Sequence, residues 1–554
     1  SFQGYIDDAA IYGRALTVDE IAVIHRSGGG AKGGNLIRGN YIGTDATGTR
    51  VQGNGSYGIE VQGSGNWIGG DSANARNVIS GNLGNGISIF NTYGNTVSGN
   101  YIGTDSTGTA TLGNQNGVVL ANTHRNTIGG DSSGERNVIA GGNIGVQLSG
   151  NSTYANIVSG NYIGTNAAGS AALANATGIL LQDAGSNTIG GDATGEGNLI
   201  SGNTGNGVYV TGTGAETGMV GWWRGDNSAT DVFGGNHATL MNGATYGIGA
   251  TGSANSAFNF NGTNQYATIA DAPSLQIASA VSLSAWVNPT TLSGGSGYQT
   301  VITKWDGVGR NYGMWVLSNG SVQLEYYNTS NTRVTLVTNP GIVTAGSYHH
   351  LSGVINQASG SMTVYVNGVA AATMATVGSI QTNSGAVTIG KEGSTHYFNG
   401  RIDEAAIFNR ALTAQEVSDI YHAAGQGFAG NTIGGNLIGT NAAGTAAIGN
   451  GTGGISVVSS SINTIGGTTA AERNVIGGNA YGISLGSSHY NTVLGNYIGL
   501  GADGTTAVGN TGSGVYLSTS TYNLFGGDTV GERNVVSSNG AYGFNIDSGS
   551  HYNT

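Results

Sequence analysis

Short runs in which apolar and polar residues alternate recur along most of this chain, separated by corners rich in glycine and asparagine. Examples are NYIG, GIEV, NVIS and GISI. Alternate residues of a strand share a face, so Asn40 and Ile42 point to one side and Tyr41 to the other. Strands this short form no stable sheet alone, but each can pair with its counterpart in the next coil of a solenoid. The pattern predicts stacked coils with an Ile/Val core and asparagine ladders at the corners.

A 60-residue repeat sets the spacing of the predicted coils. Its marker is the string GNYIGT or a close variant, at residues 39–44, 99–104, 160–165, 435–440 and 495–500. Asn40 and Asn100 are 60 residues apart, as are Asn436 and Asn496. A second coil start, RNVIS or a variant of it, lies within each repeat, at Asn77, Asn137, Asn198, Asn474 and Asn534. Each repeat therefore predicts two coils, one of which carries longer loops.

A longer repeat is also present. Residues 398–421 echo residues 2–25 at an offset of 396, and the same offset maps Asn40 onto Asn436. We expect the protein to continue beyond both ends of this chain as a tandem array of the longer unit. Six coils per unit, at ~4.8 Å each, advance the solenoid by roughly 29 Å. A domain of about 200 residues is wider than this advance, on the order of 40 Å. If each long unit carries one such domain, successive domains are expected to crowd one another along the solenoid.

The composition changes near Thr217 and changes back near Gly427. All three prolines and five of the six tryptophans lie between these positions. Longer alternating runs there, such as VSLSAWVNP and MTVYVNG, predict antiparallel strands, and Thr413 with Glu416 predicts the capping box of one short helix. The flanking strings GNGVYVTGTG and FAGNTIGGNLIGT read as two halves of one coil. This organisation predicts a β domain inserted into a solenoid turn, where added length costs little loop-closure entropy.

Two family resemblances follow from these motifs. The GNYIGT and NVIS repeats resemble the right-handed parallel β-helix of the pectin-lyase-like superfamily, over about residues 31–214 and 428–554. The segments VGWWRGDN, FNFNGTNQYATIADAPSLQ and GRIDEAAIFNRALT resemble the laminin-G-like, concanavalin A-like jelly roll. The expected fold class is therefore all-β, a right-handed parallel β-helix interrupted by an antiparallel β-sandwich. The expected domains are the end of a preceding laminin-G-like domain, the β-helix, the jelly-roll insertion and the continued β-helix, at residues 1–27, 28–215, 216–427 and 428–554.

Composition and charge exclude some fold classes and some classes of binding partner. The 104 glycines keep no three-residue period and accompany only 3 prolines, which excludes collagen. Charged residues make up 8% of the chain, the formal net charge is −12, and no Lys/Arg cluster offers a phosphate-binding surface, so we expect no nucleic-acid partner. No apolar run has the length of a transmembrane helix, so we expect no membrane insertion in this segment.

Catalysis by a β-helix of this kind needs a coil that departs from its neighbours and gathers carboxylates. The position after GNYIGT requires no carboxylate, since it is occupied by Asp45, Asp105, Asn166, Asn441 and Gly501. The position after IGG is more regular, with Asp71, Asp131, Asp192, Thr468 and Asp528. For these aspartates we favour acceptors of turn N–H groups over weak calcium ligands. The recurring Glu-Arg pairs, for example Glu472-Arg473, predict a stacked ion-pair ladder rather than a general acid. We expect no enzymatic activity within this chain.

The jelly-roll resemblance implies a structural calcium ion. The residues that match it are Asp226 in GWWRGD and Asp403 in GRIDE, with Asp7 as the counterpart of Asp403 in the earlier copy. Calcium is the one cofactor expected here. For Asp403 the alternative is the cap of a loop.

Aromatic residues are the candidates for sugar contact, because their faces stack on pyranose rings. We predict Trp315, Tyr326 and Tyr327 as exposed ligand-binding aromatics, and we expect Trp286 in the core. On the solenoid, His124 falls at the corner position that Tyr93 and Tyr154 fill in neighbouring coils, as do His489 and His551 further on, which predicts a surface aromatic stack.

These features favour a structural or adhesive segment of a giant tandem-repeat fibre, extracellular or on a cell surface and of bacterial type. The inserted domains would serve as lateral contacts or as glycan-binding heads. The expected partners are a polysaccharide or glycoprotein and neighbouring copies of the protein itself. The alternative is a carbohydrate-active enzyme of the polysaccharide lyase or hydrolase type, whose catalytic coils lie outside this chain and whose inserted domains anchor the substrate.

Overall fold

A computed structural model describes residues 34–150, 152–212, 218–233, 235–292, 297–422 and 430–554. The chain divides into two compact units, one formed by Ser1–Gly214 with Gly430–Thr554 and the other by Ala215–Ala429. The predicted domain end at residues 1–27 and its candidate calcium ligand Asp7 lie outside the described residues. No helix in the described part of the chain has the length and apolar content needed to span a membrane.

The first unit is a solenoid of three parallel sheets, each with ten described strands, which confirms the predicted β-helix. The first sheet contains Leu36–Ile37, Trp67–Gly69, Thr96–Ser98, Thr127–Gly129, Ile157–Ser159, Thr188–Gly190, Thr432–Gly434, Thr464–Gly466, Thr492–Leu494 and Leu524–Phe525. The second contains Tyr41–Ile42, Val78–Ile79, Tyr101–Ile102, Val138–Ile139, Tyr162–Ile163, Leu199–Ile200, Leu437–Ile438, Val475–Ile476, Tyr497–Ile498 and Val535–Val536. The third contains Ile59–Val61, Ile87–Phe90, Val118–Ala121, Ile144–Ser149, Thr177–Gln182, Val208–Thr211, Gly453–Val458, Tyr481–Gly486, Val515–Ser518 and Phe544–Ile546.

The coil stack continues in register across the insertion. Ile189 pairs with Ile433 in the first sheet, Ile200 with Ile438 in the second, and Val210 with Val457 in the third. Because the inward-facing residue of each strand is Ile, Val or Leu in coil after coil, one buried apolar column runs through the whole unit. The inserted domain therefore leaves the solenoid core uninterrupted.

Asparagine ladders line the corners of the solenoid, as predicted. The amide of Asn100 donates to Asn137 Oδ1 at 3.1 Å, and the amide of Asn137 donates to Asn161 Oδ1 at 2.9 Å. Across the insertion, the amide of Asn198 donates to Asn436 Oδ1 at 3.0 Å. All of these side chains are buried. Since every member accepts from one neighbour and donates to the next, repetition itself satisfies the buried polar groups.

The turn after GNYIGT is closed by its first polar side chain, which confirms the predicted backbone-capping role. Asp45 Oδ1 accepts the N–H of Thr49 at 3.0 Å, and Asn166 Oδ1 accepts that of Ser170 at 2.9 Å. Where this position is glycine, Asp503 two residues later accepts the N–H of Thr506 at 2.8 Å. An amide oxygen accepts the same backbone hydrogen bond as a carboxylate oxygen, so these turns require no metal ion to close.

The turn after IGG is closed differently from the prediction. In the four repeats that have a glutamate four residues after the turn opens, the turn amides bond to this glutamate rather than to the residue that opens the turn. Glu196 Oε2 accepts the N–H groups of Asp192 and Ala193 at 3.0 and 2.9 Å, and Glu472 Oε2 accepts that of Thr468 at 3.0 Å. The longer glutamate side chain reaches back over the turn, which the shorter aspartate within the turn is not placed to do.

The predicted ion-pair ladder is also wrong, because the recurring arginines lie over tyrosine rings of the next coil. The guanidinium of Arg136 is 4.1 Å from the ring centroid of Tyr162, and that of Arg473 is 4.2 Å from the ring centroid of Tyr497. Arg76 and Tyr101 form an equivalent pair at 4.0 Å. These are cation–π contacts, with the arginine also donating to a backbone carbonyl in each case.

The repeat next to the insertion lacks both members of this pair. Gly197 stands where the other repeats have arginine, and Leu437 stands where they have tyrosine. A Cβ atom at Gly197 would lie 2.1 Å from the carbonyl oxygen of Gly435, so the backbone there leaves no room for any side chain. Loss of the arginine thus accompanies loss of the ring that would receive it.

Aromatic side chains stack at one corner of the solenoid, as predicted for Tyr93, His124 and Tyr154. Their successive ring centroids are 5.3 and 4.8 Å apart and the rings are nearly parallel. In later coils the stacked column lies one residue further along the chain, at Tyr490, Tyr522 and Tyr552. The prediction therefore fails for His489, whose Nδ1 instead contacts Thr521 Oγ1 at 2.8 Å.

The second unit is a sandwich of two antiparallel sheets, which confirms the predicted insertion of a jelly-roll type domain. The eight-stranded sheet contains Met219–Trp223, Thr245–Gly247, Ala257–Asn261, Ala280–Pro289, His349–Asn356, Ser361–Val366, Val369–Ala375 and Asn399–Phe408. The seven-stranded sheet contains Ala238–Met241, Tyr266–Ile269, Tyr298–Trp305, Arg310–Leu317, Val322–Tyr327, Arg333–Val337 and Val387–Ile389. Two short strands, Lys391–Glu392 and His396–Tyr397, form a separate hairpin.

Apolar residues from both sheets meet in the core of the sandwich, for example Leu283 and Met314. Short 3-10 turns lie at Ala73–Ala75 in the solenoid and at Pro273–Leu275 in the sandwich. The sandwich ends in the helix Ala414–His422. The predicted capping box is present, because Glu416 Oε2 accepts the N–H of Thr413 at 2.7 Å and Thr413 Oγ1 accepts that of Glu416 at 3.2 Å.

Candidate ligand-binding surface of the inserted domain

Two of the three predicted sugar-binding aromatics are buried, so their expected exposure is wrong. Tyr326 alternates with outward-facing neighbours and points into the sandwich core, where its hydroxyl oxygen accepts the N–H of Val377 at 2.7 Å. Trp315 is on the outward face of the seven-stranded sheet but is only 2% exposed. Its ring lies over Gly313, where a Cβ atom would be 2.2 Å from the indole, and the Arg310 guanidinium lies 5.3 Å from its centroid.

Tyr327 is the remaining predicted aromatic. It is half-buried and pairs with Arg333 at the edge of the seven-stranded sheet. Its role in ligand binding stays a prediction.

An ionic network lies beside Trp315 and includes Arg310, whose guanidinium is over the Trp315 ring. Glu325 is fully buried and accepts hydrogen bonds from Arg310 and Arg333, each at 2.7 Å, and from Gln323 at 2.9 Å. Arg310 also donates to Glu392 at 2.6 Å, which links the sheet to the separate hairpin. Through Arg310, which pairs with both glutamates, this network holds the hairpin against the sheet.

The hairpin at residues 391–397 lies across the outward face of the seven-stranded sheet. The Thr300 hydroxyl donates to the carbonyl of His396 at 2.9 Å, and the Thr388 hydroxyl donates to that of Lys391 at 2.5 Å. Around the hairpin, half-buried aromatic rings gather from three parts of the chain, at Tyr266, Tyr298, His396 and Tyr397. We call these four residues and Lys391 the hairpin surface.

Ring contacts organise the hairpin surface. The Lys391 ammonium is 4.1 Å from the ring centroid of Tyr266 and 6.0 Å from that of Tyr397. The rings of Tyr298 and His396 meet edge to face at 5.5 Å. The result is a group of partly accessible aromatic faces with one cation among them, which is the kind of surface on which a sugar ring can stack.

Sequence reasoning missed the hairpin surface. The run KEGSTHY contains the available signal, since it places a lysine and two aromatics on either side of a Gly-Ser-Thr turn. The contribution of Tyr266, 125 residues before Lys391, has no such local signal.

The predicted calcium ligands lie elsewhere on the domain, at a β-bulge. The strand Asn399–Phe408 shifts register against Ala280–Pro289 at this point, and Glu404 has a left-handed φ of 51°. Trp222 and Arg224 donate hydrogen bonds to the carboxylate of Glu404. Asp403 is buried beside it, and its Oδ2 accepts the N–H of Ala250 at 2.8 Å.

Burial dominates the acidity of this pair. It raises the pKa of Asp403 to about 7, an increase to which the neighbouring Asp226 carboxylate adds. It raises the pKa of Glu404 to about 8, against the opposing effect of the Arg224 guanidinium. Both carboxyl groups therefore hold protons at a pH where exposed carboxyl groups are ionised.

Only part of this arrangement fits a calcium ion. Asp403 Oδ1 is buried and has no hydrogen-bond partner among the described residues, so it is free to face a cation. Asp226 instead forms an ion pair with Arg224 at 2.9 Å. Calcium takes six to eight oxygen ligands, and the described chain contains no group of three or more Asp, Glu, His or Cys side chains placed for a metal. Backbone carbonyls would have to complete the site.

Comparison with protein-family models identifies both units. Residues 34–221 match the right-handed β-helix region, and residues 261–418 match the concanavalin A-like lectin/glucanase superfamily. The chain thus combines a right-handed parallel β-helix with an inserted concanavalin A-like domain. No curated protein sequence matches the chain.

Several solved structures are similar to part of the chain. The binding domain of Paraclostridial Mosquitocidal Protein 1 is 17% identical over 38% of this chain and 53% of its own, with a TM-score of 0.32. Domain 4 of AbnA, a GH43 extracellular arabinanase from Geobacillus stearothermophilus in complex with arabinotriose, is 21% identical over 36% of this chain and 97% of its own, with a TM-score of 0.30. The receptor binding domain of botulinum neurotoxin D is 12% identical over 38% and 53%, with a TM-score of 0.31. The present chain spans about half the length of the first and third.

Proposed function

We propose that this chain is a segment of an extracellular fibre in which the β-helix is the axis and the inserted concanavalin A-like domain is a glycan-binding head. The observation that carries this proposal is the hairpin surface, where half-buried aromatic rings from separate strands converge around Lys391. Aromatic faces that are held in place and partly open to solvent suit stacking against sugar rings.

The solenoid supports the structural part of the proposal. Its three sheets keep their register across the insertion, so a domain can be added without breaking the axis that bears it. A repeated axis would present many copies of the same head, and linked copies raise the overall affinity for a repetitive ligand without any new contact. Neighbouring copies of the protein and a surface polysaccharide or glycoprotein are the partners that this arrangement would serve.

Binding of the complete 554-residue chain to a panel of polysaccharides tests the proposal. We expect saturable binding that weakens about 3- to 10-fold in Tyr266→Ala and in Tyr397→Ala, because each change removes one stacking face. Tyr93→Ala is the matched control, since it removes an exposed tyrosine from the solenoid. A chain carrying two tandem 396-residue units should bind more tightly than one unit.

Two outcomes would contradict the proposal: absence of binding across the panel, or binding that is equal in the two variants and the wild type. In this proposal the chain itself catalyses no reaction. Incubation with a bound polysaccharide is therefore expected to release no shorter fragments, and release of such fragments would favour an enzyme instead.

A further inference from the structure

The charge of Lys391 has no acidic counterpart on the hairpin surface. The Lys391 ammonium lies over two tyrosine rings, and these ring contacts are its interactions within the described residues. Its sequence neighbour Glu392 is already engaged by Arg310. Lys391 thus differs from the other basic residues near this sheet.

Other basic residues of the inserted domain are neutralised by carboxylates. Lys304 pairs with Asp271, Arg224 pairs with Asp226, and Arg310, Arg333 and Arg410 each pair with a glutamate. Within the described part of the domain, Arg401 is the other lysine or arginine outside these ion pairs. It lies against Gly247 in the eight-stranded sheet, away from the hairpin surface. Lys391 is therefore a cation without an acidic partner that is set among aromatic faces.

We infer that the ligand of the hairpin surface is an anionic glycan, a sugar chain that carries carboxylate or sulfate groups. This inference rests on the proposed glycan-binding function and names its ligand class. A sugar ring stacked on Tyr266 or Tyr397 would displace water from Lys391, and a desolvated ammonium without a partner costs free energy. An anionic substituent removes that cost by pairing with the ammonium, whereas a neutral sugar of the same shape does not.

The charge of the hairpin surface argues against a polyphosphate ligand. The described hairpin surface offers one ammonium rather than a row of cations. Nucleic acids are bound by many lysines and arginines that each neutralise a phosphate. A single cation between aromatic rings instead suits one charged group per sugar unit.

The test uses matched pairs of polymers with the complete chain. Polygalacturonate is compared with its methyl ester, and dextran sulfate with dextran, since the members of each pair differ mainly in charge. We expect one charged member to bind about 10-fold more tightly than its neutral partner, with a difference that shrinks as salt is added. Preference within the first pair would identify carboxylate, and preference within the second would identify sulfate.

Variants test whether Lys391 causes the preference for the charged polymer. Lys391→Gln is expected to abolish the preference, so that the charged polymer binds no more tightly than its neutral partner. Tyr397→Ala is expected to weaken both, and Arg401→Gln, the control for net charge, neither. Thermal unfolding of each variant shows whether it folds.

Equal affinity within both pairs would overturn the inference while leaving glycan binding intact. An unchanged preference in a folded Lys391→Gln would overturn it as well. Absence of binding to every polymer, neutral or charged, would instead remove the proposed function together with the inference.

Discussion

The solenoid and the inserted domain bury polar groups by opposite means. In the solenoid, each buried asparagine is bonded to its own copy in the next coil, as Asn100 is to Asn137. In the inserted domain, Glu325 is bonded to Arg310, Arg333 and Gln323, none of which is its counterpart in a repeat. The comparison shows two solutions to one requirement, that a buried polar group must have a partner.

The difference has consequences for tolerance to change. A ladder distributes its hydrogen bonds over many similar rungs, so the loss of one member leaves the next rungs intact. An ionic network concentrates charge at one site, so the loss of Glu325 leaves Arg333 without its carboxylate and Arg310 with Glu392 alone. We therefore expect the solenoid to lose less stability than the inserted domain when one polar residue is removed.

The largest expected effect is that of Glu325→Ala. It leaves Arg310 and Arg333 without their shared carboxylate, which costs about 3–5 kcal/mol in the unfolding free energy of the inserted domain. Asn100→Ala, its counterpart in the solenoid, is expected to cost about 1–3 kcal/mol. Denaturant unfolding followed by tryptophan fluorescence reports the inserted domain, which contains five of the six tryptophans, while far-UV circular dichroism reports both units. A smaller cost for Glu325→Ala than for Asn100→Ala would break the comparison.

A second effect is expected from pH, in the inserted domain. Because the pKa values of Asp403 and Glu404 are raised to about 7 and about 8, the folded domain keeps protons that the unfolded chain releases near pH 4. Their stabilising contribution is full below that pH and is lost as the pH rises through about 7 and about 8. Asp403→Asn should flatten this dependence, and a stability that rises over the same range would contradict the assignment.

Calcium would offset the loss of stability that follows ionisation of Asp403, because it binds the ionised carboxylate. If calcium binds at Asp403, as we propose, its addition at pH 8 should raise the unfolding temperature of the wild type but not of Asp403→Asn. An equal response of both proteins would exclude Asp403 as a ligand.

The smallest expected effect concerns the cation–π pairs of the solenoid. Arg136→Ala should cost about 0.5–1 kcal/mol through loss of its contact with Tyr162. A double-mutant cycle with Tyr162→Leu isolates the coupling, and the second change should cost little once the first is made. Leu437→Tyr is the matched control, because it places a tyrosine in the repeat where Gly197 replaces the arginine. We expect this tyrosine to add no comparable stability. Additive costs for Arg136 and Tyr162 would show that the two side chains do not interact.

Much of the fold could be predicted because the chain repeats itself. The 60-residue spacing places Asn40 and Asn100 at equivalent corners, and Asn77 of the coil between them is bonded to both. The capping box of Thr413 and Glu416 is equally local, since its two members are three residues apart. In both cases the partner of a residue can be read from a fixed offset along the sequence.

The candidate site could be predicted only in part. Alternation separates the two faces of a strand, but it does not show which face meets the core or whether the other face is covered. Trp315 faces outward as a ligand-binding residue would, yet it is buried, with Arg310 over its ring. Arg473 was likewise expected to form an ion pair with a glutamate. It lies instead over the ring of Tyr497 in the next coil.

The sequence by itself determined the coil repeat, the asparagine ladders, the position of the insertion and the class of both units. These features rest on offsets that recur or on contacts between near neighbours. The tertiary structure alone decided that the hairpin at residues 391–397 crosses the seven-stranded sheet, and that Lys391 meets Tyr266 there. Such contacts join residues far apart in the chain that occur once, and only the packing of the sheets brings them together.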